Sequence, residues 1–286
     1  MRIAVLVKYV PEVTSDLRFS DSHQVVREGS DSTLNELDEH AVEAALELAS
    51  AADAAAVEPV ETEGGPAVQA AETKESEVIA LTMAPESGDL ALRKAFQMGV
   101  GRGIRLTDDA LADSDLFGTT LALAAAIRKL GAEQPVDLVV LGMASSDGST
   151  AVLPALLANE LGWPKLSFAD TVTLANGGLN ITRHVDEAVE TLWSGLPAVL
   201  SVTDAANTVR TPNFKLIMAA RKTPIEAWSA ADLDLDPTLV GNSGSRIAVV
   251  ETARVPAKPD AEMVYDDGAG SGAAALVDFL VEKELV

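Results

Sequence analysis

Residues 141–164 read LGMASSDGSTAVLPALLANELGWP. The stretch begins as the end of an apolar run, DLVVLG at 137–142, crosses Ser145, Ser146, Asp147, Gly148, Ser149 and Thr150, and becomes a helical pattern carried by Leu153, Leu156, Leu157 and Leu161. An apolar run, then small residues, then a 3.6-residue period describes a buried strand, a loop and a helix, the unit of parallel sheets. The same alternation recurs along the chain. It predicts strands at Ile3–Val7, Val78–Thr82, Gly103–Thr107, Asp137–Leu141 and Ala198–Val202, with helices over 37–49, 87–98, 115–130 and 150–162. The expected fold is α/β, a doubly wound parallel sheet of strand order 3-2-1-4-5 joined by right-handed crossovers. After residue 164 the period changes. TVTLANGGLNITRHVDEAVETL (171–192) holds an Asn-Gly-Gly turn and a second turn at Asp186 and Glu187 between alternating runs, which predicts an antiparallel meander.

Composition narrows the function. Of 286 residues 48% are hydrophobic and only 4% aromatic, enough for a sizeable core of Ala, Val and Leu. The 44 acids outnumber 21 bases, and a net charge of −23 repels nucleic acid and anionic membrane surfaces. There is no cysteine, hence no disulfide, thiol nucleophile or thiolate zinc site. The apolar run IAVLV (3–7) is followed too soon by Lys8 and Pro11 for a signal peptide or membrane span, so a soluble, cytoplasmic protein is expected.

Two segments lack an amphipathic face. Ser50–Ser76, rich in Ala, Glu, Pro and Gly, reads as a mobile insertion, and 234–286 reads as an extended C-terminal arm ending in one amphipathic helix that docks on a partner. Residues 1–233 are then the α/β domain.

The chain offers no self-contained catalyst. His23, His40 and His184 stand far apart without metal-ligand spacing, and neither a G-x-S-x-G elbow nor a P-loop is present. GVGRG (99–103) follows a helix and precedes a strand, the wrong order for a dinucleotide fingerprint, so it reads as a helix stop. Binding a cofactor that carries the chemistry is the simpler reading.

The opening stretch suits that reading. Small residues between a strand and a helix let a phosphate approach backbone N–H groups; Ser149 and Thr150 add hydroxyls, Asp147 can hold the loop or a ribose, and Gly148 can take a positive φ. A serine-rich helix cap with an Asp-Gly turn explains the local sequence equally well. In the 3-2-1-4-5 order, strands 1 and 4 flank the switch point, so the irregular openings KYVPEV (8–13) and GMASSDGST (142–150) face each other across one crevice.

MRIAVLVKYVP (1–11), LNELDEHAVEAALELA (34–49), the stretch above, ITRHVDEAVETLWSGLPAVLS (181–201) and NFKLIMAARKTPIE (213–226) together resemble the beta subunit of electron-transfer flavoprotein, the FixA type. Ile181, Arg183, Asp186, Glu187, Glu190, Leu192 and Pro197 match the signature meander of that family, with Ala188 as the one departure. The resemblance implies a HUP-like, adenine-nucleotide-binding α/β fold and half of a heterodimer whose alpha subunit holds most of the redox-active FAD. It implies AMP, or a second FAD in bifurcating members, against Leu6, Val7, Lys8, Asn35, Glu36, Leu37, Asp38, Met83, Gly142, Ser145–Thr150, Ala151, Val152 and Leu153. Asn35 is also read as the helix N-cap. Ala151, Val152 and Leu153 stand where many relatives carry an amide side chain for phosphate contact, and Val13 stands where some place an aromatic ring on the flavin.

The segment 205–225, AANTVRTPNFKLIMAARKTPI, has no acid and four bases, Arg210, Lys215, Arg221 and Lys222, around Phe214, Leu216, Ile217 and Met218. A basic, apolar patch on a negative chain is a candidate docking surface. In the family resembled it is the recognition loop for acyl-CoA and other flavin dehydrogenases, with Phe214 in the place of a leucine anchor; a quinone oxidoreductase is the implied acceptor, and fatty acid oxidation the implied setting. The rival reading, a stand-alone nucleotide sensor or ATP-cleaving enzyme of the same fold, calls for S-G-G-x-D-S after strand 1, where KYVPEV stands.

Overall fold

A computed structural model describes residues 1–21, 23–27, 31–57, 75–253, 255–258 and 260–286. The chain forms β1 (Arg2–Leu6), β2 (Tyr9–Pro11), β3 (Ser32–Leu34), α1 (Glu36–Val57), β4 (Glu77–Met83), α2 (Asp89–Met98), β5 (Arg102–Leu106), α3 (Leu116–Glu133), β6 (Leu138–Gly142), α4 (Leu153–Leu161) and β7 (Lys165–Ala169). It continues through β8 (Thr171–Ala175), β9 (Gly178–Val185), β10 (Ala188–Gly195), β11 (Ala198–Val202), α5 (Phe214–Ala220), β12 (Ile225–Trp228), α6 (Gly241–Gly244) and α7 (Ser271–Glu282).

Seven strands make one parallel sheet of order β12-β5-β4-β1-β6-β11-β7. The five strands read from apolar runs are β1, β4, β5, β6 and β11, standing as 3-2-1-4-5. Every residue of β1, β6 and β11 is buried, and apart from Arg2 and Ser201 these strands read as apolar runs. On one face Ile3, Val5, Val140 and Leu200 pack with Ala41 and Ala45 of α1 and Leu92 of α2; on the other Ala4, Leu6 and Val139 pack with Ile127 of α3 and Leu157 of α4. Gly99, at φ 121°, ends α2 as the expected helix stop.

The meander is a separate sheet of order β10-β9-β8, its turns placed where Asn176 (φ 52°), Gly177 (φ 73°) and Asp186 (φ 51°) enter the left-handed region. Leu179 and Ile181 of β9 join the core under α1, and Arg183 pairs with Glu190 across the hairpin at 2.6 Å.

Four expectations are corrected. The opening KYVPEV is not irregular: Tyr9–Pro11 pairs with Ser32–Leu34 as an antiparallel ribbon. The helix α1 does not stop at residue 49 but runs to Val57, because the alanines after Ser50 are the best helix formers. Ser76, read as the far end of the insertion, donates to Asp53 of that helix through its N–H at 2.9 Å and its hydroxyl at 2.7 Å. The remainder, 58–74, lies outside the described residues. The body extends past 233 to Val250: Val240 is fully buried, the Gly241 N–H donates to Ser114 at 2.7 Å, and Asp115 accepts from the Arg246 N–H at 2.6 Å.

Residues Glu251–Val286 form a second unit. Within it Asp266 accepts from the N–H groups of Gly268 and Gly272 ahead of α7, a helix without a buried residue and with Leu276, Val277, Phe279 and Val281 exposed.

Candidate functional site

The carboxyl ends of β1 and β6 lie side by side, so the chain leaving each must open a crevice between them. Three segments meet there. Lys8 follows β1; Asn35, Glu36, Leu37 and Asp38 begin α1; Gly142 to Val152 leads from β6 into α4. The Asn35 amide donates to the Ala144 carbonyl at 2.9 Å and accepts from the Ser146 N–H at 3.1 Å. Its side chain is therefore a cross-link between α1 and the loop, not the helix cap expected, although its carbonyl does accept from the Asp38 N–H.

Asp38 is buried and accepts from the Lys8 N–H at 2.8 Å. Burial pushes its carboxyl up to about 7, against donors on Asn35, Lys8 and Gly142 that favour the ionised form. An acid whose folded pKa is raised contributes stability that is complete below its unfolded value, 3.8, and lost as pH climbs through about 7. Asp38→Asn is therefore expected to flatten the stability curve between those limits, gaining on the order of 4 kcal/mol relative to the parent from the acid end to the neutral end. Urea midpoints at both ends measure it; parallel curves would remove Asp38 as the source.

Asp147 has no solvent-exposed side-chain surface and pairs with Lys8 Nζ at 2.8 Å and Arg27 at 2.6 Å. Burial raises this carboxyl, but Lys8, Arg27 and Ser145 outweigh it and hold the group below the usual range. The carboxylate is thus engaged by two cations of this chain; it holds the loop and is not presented to a ribose. Lys8 also donates to Ser145 Oγ at 3.2 Å. Arg27 carries no pattern in the sequence, lying alone in a polar loop, and only the fold brings it here.

The loop's left-handed residues are Ser149 (φ 48°) and Ala151 (φ 52°), not Gly148 as the Asp-Gly signal suggested. What Gly148 supplies is closeness, since a Cβ there would lie 3.2 Å from Ser145 Oγ and 3.7 Å from Lys8 Nζ. The Ser149 N–H is used by the Ser145 carbonyl at 2.8 Å, whereas no protein acceptor is found among the described residues for the N–H groups of Thr150 and Ala151. At α4 itself Pro154 removes a donor and the Ala155 N–H bonds Val152. Ser146, Gly148, Ser149, Thr150 and Val152 are exposed, while Leu6 and Val7 are buried below. Met83 ends β4, one strand over, and packs on the α3 side. Small residues, left-handed turns and two cations fit an anionic nucleotide. A cavity of about 520 Å³ opens beside α1, lined by Val13, Thr33, Glu36, Glu39, Lys94 and Val209 among others.

In the basic segment, Asn213 caps α5 by accepting the Leu216 N–H at 2.9 Å. Phe214 is 79% exposed, Met218, Lys215, Arg221 and Lys222 are also exposed, and Leu216 and Ile217 are half-buried. Among the described residues no group of three His, Cys, Asp or Glu is placed to hold a metal, and no helix is long and apolar enough to cross a membrane.

These features define a doubly wound α/β protein with a crevice at its switch point and a basic, apolar helix presented to solvent. The profile of the electron transfer flavoprotein domain matches residues 65–233. The chain is 34% identical to the electron transfer flavoprotein subunit beta of Mycobacterium leprae across 99% of both chains. It is 33% identical to the protein FixA of Bradyrhizobium diazoefficiens, covering 68% of this chain and 70% of that one. A subunit of the caffeyl-CoA reductase-Etf complex of Acetobacterium woodii, CarD, is 29% identical over the full length of both. The chain belongs to the electron transfer flavoprotein family, with the beta, or FixA-type, subunits. These are electron carriers, not enzymes with a turnover of their own.

Proposed function

We propose that this chain is the beta subunit of a cytoplasmic, heterodimeric electron-transfer flavoprotein that holds AMP in the crevice between Lys8, Asn35–Asp38 and Gly142–Leu153. FAD sits mainly on the alpha subunit, receives electrons from acyl-CoA or other flavin dehydrogenases and delivers them to a quinone oxidoreductase. The observation that carries the nucleotide assignment is the loop after β6: free N–H groups at Thr150 and Ala151 beside the cations Lys8 and Arg27. Bound flavin supplies the redox chemistry; this chain's residues bind the phosphate, fix the loop through Asn35 and Asp147, and present the docking helix. Val13, on the flavin side by resemblance, and Val209, just before the docking helix, line one cavity, which supports placing flavin and dehydrogenase near each other.

Nucleotides released by denaturing the heterodimer test the assignment. One FAD and one AMP per heterodimer are expected. Two FAD and no AMP would replace AMP with a second flavin in the same crevice, and stoichiometric flavin on this chain purified alone would overturn the division between subunits.

A further inference from the structure

The segment proposed to dock dehydrogenases is fastened to the body at both ends. On its amino side the Asn207 amide donates to the His40 carbonyl at 2.9 Å and its oxygen meets His40 Nδ1 at 3.0 Å. One turn along α1, Glu43 accepts three bonds from Arg210: from the backbone N–H at 3.1 Å, from Nε at 2.8 Å and from the terminal nitrogen at 2.9 Å. The Glu43 side chain is 5% exposed and that of Arg210 38%, so this is a forked ion pair with a buried carboxylate and a partly solvated guanidinium. On the carboxyl side Arg93 of α2 donates to the carbonyl of Ala220, the last residue of α5, at 2.7 Å and to the Thr223 carbonyl just beyond the helix.

Between the anchors lies a helix of seven residues with one buried side chain, Ala220. So short a helix has no stability of its own. Yet it carries Phe214, the most exposed of the chain's six phenylalanines, at the front. A loose segment would have to be ordered when a partner binds, at the expense of affinity. We propose that Glu43, acting through Arg210, and Arg93 are positioning residues that hold α5 in its docking form before a dehydrogenase arrives. The three bases Lys215, Arg221 and Lys222 then form the free charged rim, whereas Arg210 is structural. This assignment rests on the docking reading above.

The test uses the heterodimer with Glu43→Gln, with Arg93→Gln as an independent variant at the opposite anchor where no buried carboxylate is left behind. Amide hydrogen exchange over 208–223 reads the anchoring; steady-state reduction by an acyl-CoA dehydrogenase that reduces the parent heterodimer reads docking, and Phe214→Ala sets the scale. Exchange in the segment is expected to rise about tenfold in both anchor variants, and KM for the flavoprotein to rise on the order of fivefold with kcat and flavin content nearly unchanged. Phe214→Ala should raise KM about tenfold or more without changing exchange. Unchanged exchange in both anchor variants overturns the anchoring. Faster exchange with an unchanged KM, while Phe214→Ala still raises it, overturns the positioning role and leaves the docking surface standing. An unchanged KM in Phe214→Ala removes the docking reading itself.

Discussion

Gly142→Ala is expected to destabilise the body by about 3 kcal/mol and to cut nucleotide retention at least tenfold. A Cβ at 142 would lie 2.6 Å from Asp38 Oδ1 and 2.7 Å from the carbonyl carbon and oxygen of Leu37. Two of these three atoms are backbone, so no rotamer change relieves the contact. Either β6 or the first turn of α1 must move, and the Asn35 bridge to Ala144 and Ser146 spans the same gap. Gly101→Ala is the control, since nothing lies within 4 Å of a Cβ there. Urea midpoints and the AMP or FAD content of purified heterodimer measure the two effects. A Gly142→Ala protein as stable and as loaded as the Gly101 variant would show that the approach of α1 to β6 is not tight.

Arg2→Ala is expected to cost about 2–3 kcal/mol, because it strands the carbonyl acceptors of Leu130 and Gln134 and removes a buried side chain, while the carboxylates left behind are solvated. The Arg2 side chain is 3% exposed and donates to Glu77 at 2.7 Å, Glu133 at 2.9 Å and the carbonyls of Leu130 and Gln134 at 2.5 Å each. Arg102 joins Glu133 and Glu226 to the same cluster at 2.7 Å. Hydrogen bonding from Arg102, opposed by burial and aided by Arg2, holds the Glu133 carboxyl at about 2. A lowered acid contributes stability present above its unfolded value of 4.5 and lost as pH falls through about 2. The variant should thus lose urea resistance at neutral pH with an unchanged m-value and lose less on acidification than the parent. Nucleotide content per folded molecule should hold, because Arg2 lies at the opposite end of the strands from the crevice. A loss under about 1 kcal/mol would place the cluster among exchangeable surface pairs.

The strands buried on both faces were legible because burial favours apolar residues at consecutive positions: IAVL, VIAL, LVVL and AVL at their centres carry their own announcement. The sheet edges were not. KLSFA places Lys165 and Phe168 in solvent and IEAW is only four residues, so neither offers an apolar run, and tertiary pairing with β11 and β5 makes them strands. The ribbon of Tyr9–Pro11 was hidden by its proline, which an edge position tolerates. In the site, strand ends and small loop residues located the crevice, but not which residue would turn left-handed: Ser149 and Ala151 do so beside a glycine that does not. Arg27 was out of reach of any local pattern, since its partner Asp147 is 120 residues away in sequence.

The cluster around Arg2 joins the starts of β1 and β4 to the end of α3, while Lys8, Asn35 and Asp147 meet beyond the other ends of the strands. Holding the sheet together and, on the proposed reading, holding the nucleotide fall to opposite poles, with a buried strand of five residues between them. Exposed positions at the upper pole, such as Ser146, Ser149 and Thr150, can vary without drawing on the bonds that close the lower one. A library confined to 143–152 should therefore yield folded proteins of altered nucleotide preference far more often than one spread over the whole chain.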